Sequence, residues 1–165
     1  MKNIIVAYGQ NREIGKDGDL LWQRDLPADL QHFKQLTTGN AIIMGRVTFT
    51  DDLKERILPN RQTIVVTRQP EKFDGATVTH SMQEAYDAVE LGRETFVIGG
   101  AQIYEQALND ADRVYATEVD VSLPADKYFP KLDELQWREV SREHHEADEK
   151  NKYDYDYVVF DRIKN

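Results

Sequence analysis

Residues 24–34, RDLPADLQHFK, set a carboxylate on the side of a helix that should be dry. Leu26, Leu30 and Phe33 share one face at helical spacing, and Asp29 shares it with them. Two readings of Asp29 stay open on this stretch alone: a negative charge favoured by the unpaired amides of a helix N-terminus, or a functional acid. Three other stretches could hold an anion. AIIMGRVT ends an apolar run at Gly45 and continues through Arg46 and Thr48; TIVVTR ends in Thr67 and Arg68; ETFVIGGAQIY passes through Gly99 and Gly100. Glycine at such a junction lets main chain approach a phosphate closely, and arginine adds charge-assisted hydrogen bonds. Together they read as a site for a dinucleotide with an additional phosphate. Neither GxGxxG nor GxxxxGK[ST] is present, so the Rossmann fingerprint and the P-loop are both missing.

These groups need a scaffold, and the hydrophobic pattern supplies one. Apolar runs at 3–9, 41–45, 62–67, 94–100 and 111–121 read as strands, with a weaker edge strand at 76–80. Pro27 opens a helix that runs to about Thr38, with Gly39-Asn40 as its stop. VTFTDDLKER reads as a short helix, and so does AQIYEQAL after Gly100. Ser81 and Glu84 form a capping box before MQEAYDAVEL, whose helix is expected to end at Gly92. NREIGKDGD reads as a long loop, and WREVSREHH with YDYDYVVFDRI as a C-terminal antiparallel pair. The expected fold is α/β: a central, mostly parallel sheet with an antiparallel C-terminal strand pair and helices on both faces. Ligands of such sheets bind beyond the carboxyl ends of the strands, where the glycine junctions fall.

With 165 residues and no repeat or linker, the chain is expected to form a single domain over 1–165. Cysteine is absent, which excludes disulfides and thiolate chemistry. His32, His80, His144 and His145 lack metal-ligand spacing and read as surface residues, so no metal is expected. The net charge of −9 argues against nucleic acid as a partner, because binding to a phosphate backbone rests on clustered lysine and arginine. No run approaches a membrane span, and MKNIIVAYGQ is too short in its apolar part for a signal peptide, so a cytoplasmic protein is expected.

NIIVAYGQNREIGKDGDLLW, LPADLQHFK, IIMGRVTF, LPNRQTIVVTR and FVIGGAQIYEQAL, in this order and spacing, closely resemble dihydrofolate reductases, as do DRVYATEVD and ADKYFP further on. The resemblance implies hydride transfer from NADPH to C6 of dihydrofolate with protonation at N5. It implies that Asp29 binds the amide-like edge and 2-amino group of the pterin, since a carboxylate pairs well with two adjacent N–H donors. Burial should raise its pKa. Thr117 would orient Asp29, and Leu21 and Trp22 would belong to the catalytic loop.

The substrate pocket implied by the resemblance also takes Ile5, Ala7, Leu30, Phe33, Leu58, Ile98 and Tyr104, with Arg61 on the α-carboxylate of the glutamate tail. On the cofactor side it implies Ala7, Ile14 and Gly15 around the nicotinamide. Gly45, Arg46, Val47 and Thr48, then Ile98, Gly99, Gly100, Ala101, Gln102, Ile103 and Tyr104, would line the middle. Val66, Thr67 and Arg68 would hold the 2′-phosphate. Antifolate-type ligands and a monomeric state are implied as well.

The chain departs from the family pattern in three places. Leu21 stands where proline is usual before Trp22, two extra residues precede LPADL, and TFTDDL brings Asp51 and Asp52 near the substrate wall. Two other readings compete: a riboflavin-pathway reductase, which lacks the pterin-binding carboxylate, and a non-catalytic NADPH-binding module.

Overall fold

The computed structural model describes residues 1–16, 19–22 and 24–164. Its main sheet has eight strands: β1 (Lys2–Tyr8), β4 (Ala41–Gly45), β5 (Gln62–Val66), β6 (Ala76–Thr79), β7 (Thr95–Gly99), β8 (Arg113–Val119), β10 (Trp137–His145) and β11 (Tyr155–Arg162). Their order across the sheet is β10-β11-β8-β1-β7-β4-β5-β6. The run from β8 to β6 is parallel throughout, while β11 is antiparallel to β8 and β10 to β11. The continuous apolar runs of the central strands suit a parallel sheet covered on both sides.

Alternation along β1 shows which side each helix covers. Ile4 and Val6 pack in one cluster with Met82 and Ala85 of α2 (Met82–Asp87) and Ile103 and Ala107 of α3 (Ala101–Ala107). Ile5 packs in another, with Phe33 and Leu36 of α1 (Pro27–Thr37). Successive strand residues face opposite sides, so α1 lies on one face of the sheet and α2 and α3 on the other.

Three local expectations are corrected. The stretch after Tyr8 is not all loop: β2 (Glu13–Lys16) pairs with β3 (Asp19–Leu20) and, antiparallel, with β9 (Lys127–Tyr128). Its partner in β9 is more than a hundred positions away, which no local pattern announces; residues 17 and 18 of the expected loop lie outside the described residues. The second helix stops at Asp87, short of Gly92. Gln62 of β5 donates to the Ala88 carbonyl at 2.7 Å and accepts from the Glu90 amide at 2.9 Å, taking the main-chain groups a longer helix would use. The stretch after Gly45 forms a π-helical turn at Thr48–Asp52, with the Leu53 amide on the Thr48 carbonyl at 3.0 Å. Such turns concentrate at functional sites.

Candidate active site

One cavity of about 870 Å³ opens at the carboxyl ends of β1, β4, β5 and β7, where ligands of open α/β sheets bind. Asp29 forms part of its wall from the first turn of α1. The turn is not capped by the side chain at its own start: the Ala28 amide donates to Asn151 Oδ1 at 3.0 Å, and Asn151 is itself buried. The Asp29 carboxyl is held instead from the sheet, where Thr117 Oγ1 of β8 donates to its Oδ1 at 2.6 Å. Desolvation pushes the Asp29 pKa up, and the Thr117 hydrogen bond pulls against it. Trp22 is buried beside the same wall, and its indole Nε1–H has no partner among the described residues.

Glycines and cations stand among the apolar residues of the remaining wall. Gly99 has φ +127°, a backbone conformation that favours glycine, and a Cβ there would meet the Tyr104 ring at 3.5 Å. The Gly99–Gly100 peptide is cis. A Cβ on Gly45 would meet Ile103 at 3.0 Å. The pairing of β4 with β7 slips between Ile43 and Met44, a bulge that leaves Ile98 unpaired at the cavity edge. The Tyr104 hydroxyl lies 2.8 Å from the carbonyls of both Ile98 and Ile5, tying α3 to two central strands. Burial, with Asp29 and Asp52 nearby, keeps that hydroxyl protonated. Arg68 and Arg46 stand on the wall, and Arg46 pairs with Glu71 at 2.6 Å.

A family model described as dihydrofolate reductase matches residues 1–162. The chain belongs to the dihydrofolate reductase family. It is 45% identical to the dihydrofolate reductase of Bacillus subtilis, covering 98% of this chain and 95% of that one. It is 40% identical to the type 3 dihydrofolate reductase of Salmonella typhimurium, over 97% of each. In structure it is similar to a dihydrofolate reductase from Enterococcus faecalis complexed with NADP(H) and RAB-propyl. The TM-score is 0.90 at 36% identity, with 99% of this chain and 97% of that one covered.

Most positions singled out by the family resemblance meet in this cavity. Ile5 and Ala7 of β1, and Ile14 and Gly15 of β2, line it. So do Leu30 and Phe33 of α1, Gly45 to Thr48, and Val66 to Arg68. Ile98 to Tyr104 complete it. Leu30 is 53% exposed, so the face that Asp29 shares with Leu26, Leu30 and Phe33 opens to the cavity and is not dry along its length.

Four positions stand outside the wall. Thr117 is behind it, acting on Asp29. Leu21 packs among Trp22, Leu26 and Val119. Leu58 packs on the cluster of Ile5 and Phe49. Arg61 donates to Thr37 Oγ1 at 3.2 Å and to the Pro59 carbonyl at 3.0 Å, at the far end of α1.

The structure adds wall residues that sequence reasoning missed. His80 follows β6, and its Nδ1 lies 2.8 Å from the Thr67 carbonyl, next to Arg68. Its place at the carboxyl end of a parallel strand was the available signal. Lys16 and Lys127 add positive charge at the rim. Of the two unusual aspartates, Asp52 lines the cavity, whereas Asp51 is exposed and accepts from Thr50 at 3.0 Å. The reading of the histidines as surface residues is corrected for His32 and His145, both half-buried: His32 stacks on Tyr157 at 3.9 Å and His145 on Tyr155 at 5.1 Å. Among the described residues no group of three or more His, Asp or Glu side chains could hold a metal ion, and no helix is long and apolar enough to cross a membrane.

Proposed function

We propose that this chain reduces dihydrofolate to tetrahydrofolate with NADPH. One observation carries the reading: a desolvated carboxyl, Asp29, held by Thr117 at 2.6 Å, shares a continuous cavity with the Gly99–Gly100 junction and Arg68. The wall fits NADPH. Gly99, at φ +127°, and Gly100 bare the main chain of the wall, Thr67 and Arg68 supply a hydroxyl and a cation for the 2′-phosphate, and Ile14, Gly15 and Ala7 offer apolar surface for a nicotinamide. When bound, NADPH supplies the hydride for C6 of the pterin.

The chain's own groups do the rest. Asp29 pairs with the amide edge and 2-amino group of the pterin and fixes its orientation. Its carboxylate favours the protonated, more electrophilic pterin, with solvent delivering the proton to N5. The Nε1–H of Trp22, buried without a partner among the described residues, is a donor suited to a water in the cavity it shares with Asp29. Phe33 and Leu30 pack on the pterin and benzoyl rings, and Arg61 receives the tail carboxylate at the end of α1. Antifolate-type ligands would take the same pocket.

We read the chain as a single-domain, cytoplasmic monomer that binds no nucleic acid, in keeping with its net charge of −9. The test is loss of NADPH absorbance with purified protein and dihydrofolate. Oxidation that depends on dihydrofolate is expected; NADPH binding without it, from mildly acidic to mildly alkaline pH, would refute the reading.

A further inference from the structure

β2 carries a carboxylate that this reaction does not use. Glu13 is fully buried, with 0% of its surface exposed. Its Oε1 accepts the Asn11 amide at 2.9 Å and its Oε2 accepts the Leu123 amide at 2.9 Å. The two donors come from different segments: Asn11 from the turn that enters β2, Leu123 from the stretch that leads to β9. A carboxyl group so far from water is tolerable only where such donors replace hydration. The neighbourhood is shaped to admit it. A Cβ on Gly9 would fall 2.2 Å from Glu13 Oε1, so only glycine fits beside the carboxylate.

The same two segments are joined elsewhere, by the Gln10 amide on the Val121 carbonyl at 2.9 Å, Asn11 Nδ2 on Ser122 Oγ at 2.8 Å and the Asp126 amide on the Gly15 carbonyl at 3.0 Å. Glu13 is the fully buried side chain among these links. It directly precedes Ile14 and Gly15, which line the cavity. We infer that Glu13 is a positioning residue: its carboxylate ties residues 9–16 to Leu123 and so fixes Ile14 and Gly15 against the half of the cavity that takes the nicotinamide. The inference rests on the reading of that cavity as an NADPH site.

Glu13→Gln tests it. The amide offers one oxygen and one N–H group, so in either orientation one of the two main-chain amides loses its acceptor. The dissociation constant for NADPH, measured by calorimetry, is expected to rise roughly tenfold. Adenosine 2′,5′-bisphosphate, which carries only the end of the cofactor held by Thr67 and Arg68, is expected to bind the variant and the native chain alike. Unchanged NADPH affinity, or an equal loss for both ligands, would overturn the positioning role. A native chain that binds neither ligand would instead overturn the NADPH reading, and the inference with it. If the variant does not fold, amide exchange at Leu123 in the native chain decides. It is expected to slow at least about tenfold with NADPH but not with the bisphosphate, since coupling between site and strap is reciprocal. Exchange unaltered by NADPH would refute the proposal.

Discussion

Thr117→Val separates what Asp29 does from what holds it. The substitution keeps the branched shape of a buried β8 residue, registered against Ala7 and Tyr157, and removes the hydroxyl that donates to Asp29 at 2.6 Å. A hydrogen bond to a charged partner contributes about 1.5–3 kcal/mol, roughly one to two tenfold steps in an equilibrium constant. That contribution favours the ionised carboxyl, and it opposes the desolvation that pushes the Asp29 pKa up. Without the hydroxyl, desolvation acts unopposed and the pKa rises further. In single-turnover measurements with NADPH and dihydrofolate, the limb of the pH–rate profile that reports Asp29 is expected to move to higher pH. The plateau should fall by no more than about a hundredfold as the carboxyl loses its orientation, and Thr117→Ser should restore both. A limb that stays in place, or moves to lower pH, would show that Thr117 only packs.

Asp29→Asn should trade activity for stability. The folded-state pKa of Asp29 lies above its unfolded value of about 3.9, so its contribution to stability is complete below that pH and is lost as pH rises through the folded value. The variant is therefore expected to melt above the native chain at alkaline pH and close to it at acidic pH, with hydride transfer strongly reduced; equal melting temperatures at alkaline pH would contradict the desolvation account. Arg61→Lys keeps a charge but gives up the planar fork that spans Thr37 and Pro59. Its affinity for dihydrofolate should fall about tenfold while a pteridine without the glutamate tail binds as before, and equal losses for both ligands would place Arg61 in the scaffold alone.

What the sequence made legible follows from how local each signal is. The parallel strands declare themselves as apolar runs, and the capping serine is local too, with Ser81 accepting the Glu84 amide at 3.0 Å. The length of α2 is not local, because it is set by Gln62, more than twenty positions upstream. The pairing of β2 with β9 and the burial of Glu13 depend on residues more than a hundred positions on. In the string NREIG, Glu13 looks like an ordinary charge in a polar loop; only the arrival of Leu123 makes it a buried acceptor. The cavity divides in the same way. Its glycine junctions are visible in the sequence, whereas His80, Lys127 and Asp52 join the wall because separate elements converge.

The two readings of Asp29 that spacing leaves open differ in where its carboxyl should face. A carboxylate in the first turn of a helix can act on the unpaired amides there, and were that its task, its oxygens would face them. In this chain the duty is taken from outside: Asn151, fixed by Asp148 at 3.0 Å, accepts the Ala28 amide. Tyr157 in turn donates to the Ala28 carbonyl at 3.3 Å and stacks on His32 one turn along. With the Ala28 amide taken by Asn151 from the connection between β10 and β11, the Asp29 carboxyl is released from capping. It points to Thr117 and the cavity, where nothing in helix formation requires a charge. A half-buried acid that the helix does not need, on a wall shared with Gly99, Gly100 and Arg68, is in keeping with the proposed pterin-binding role.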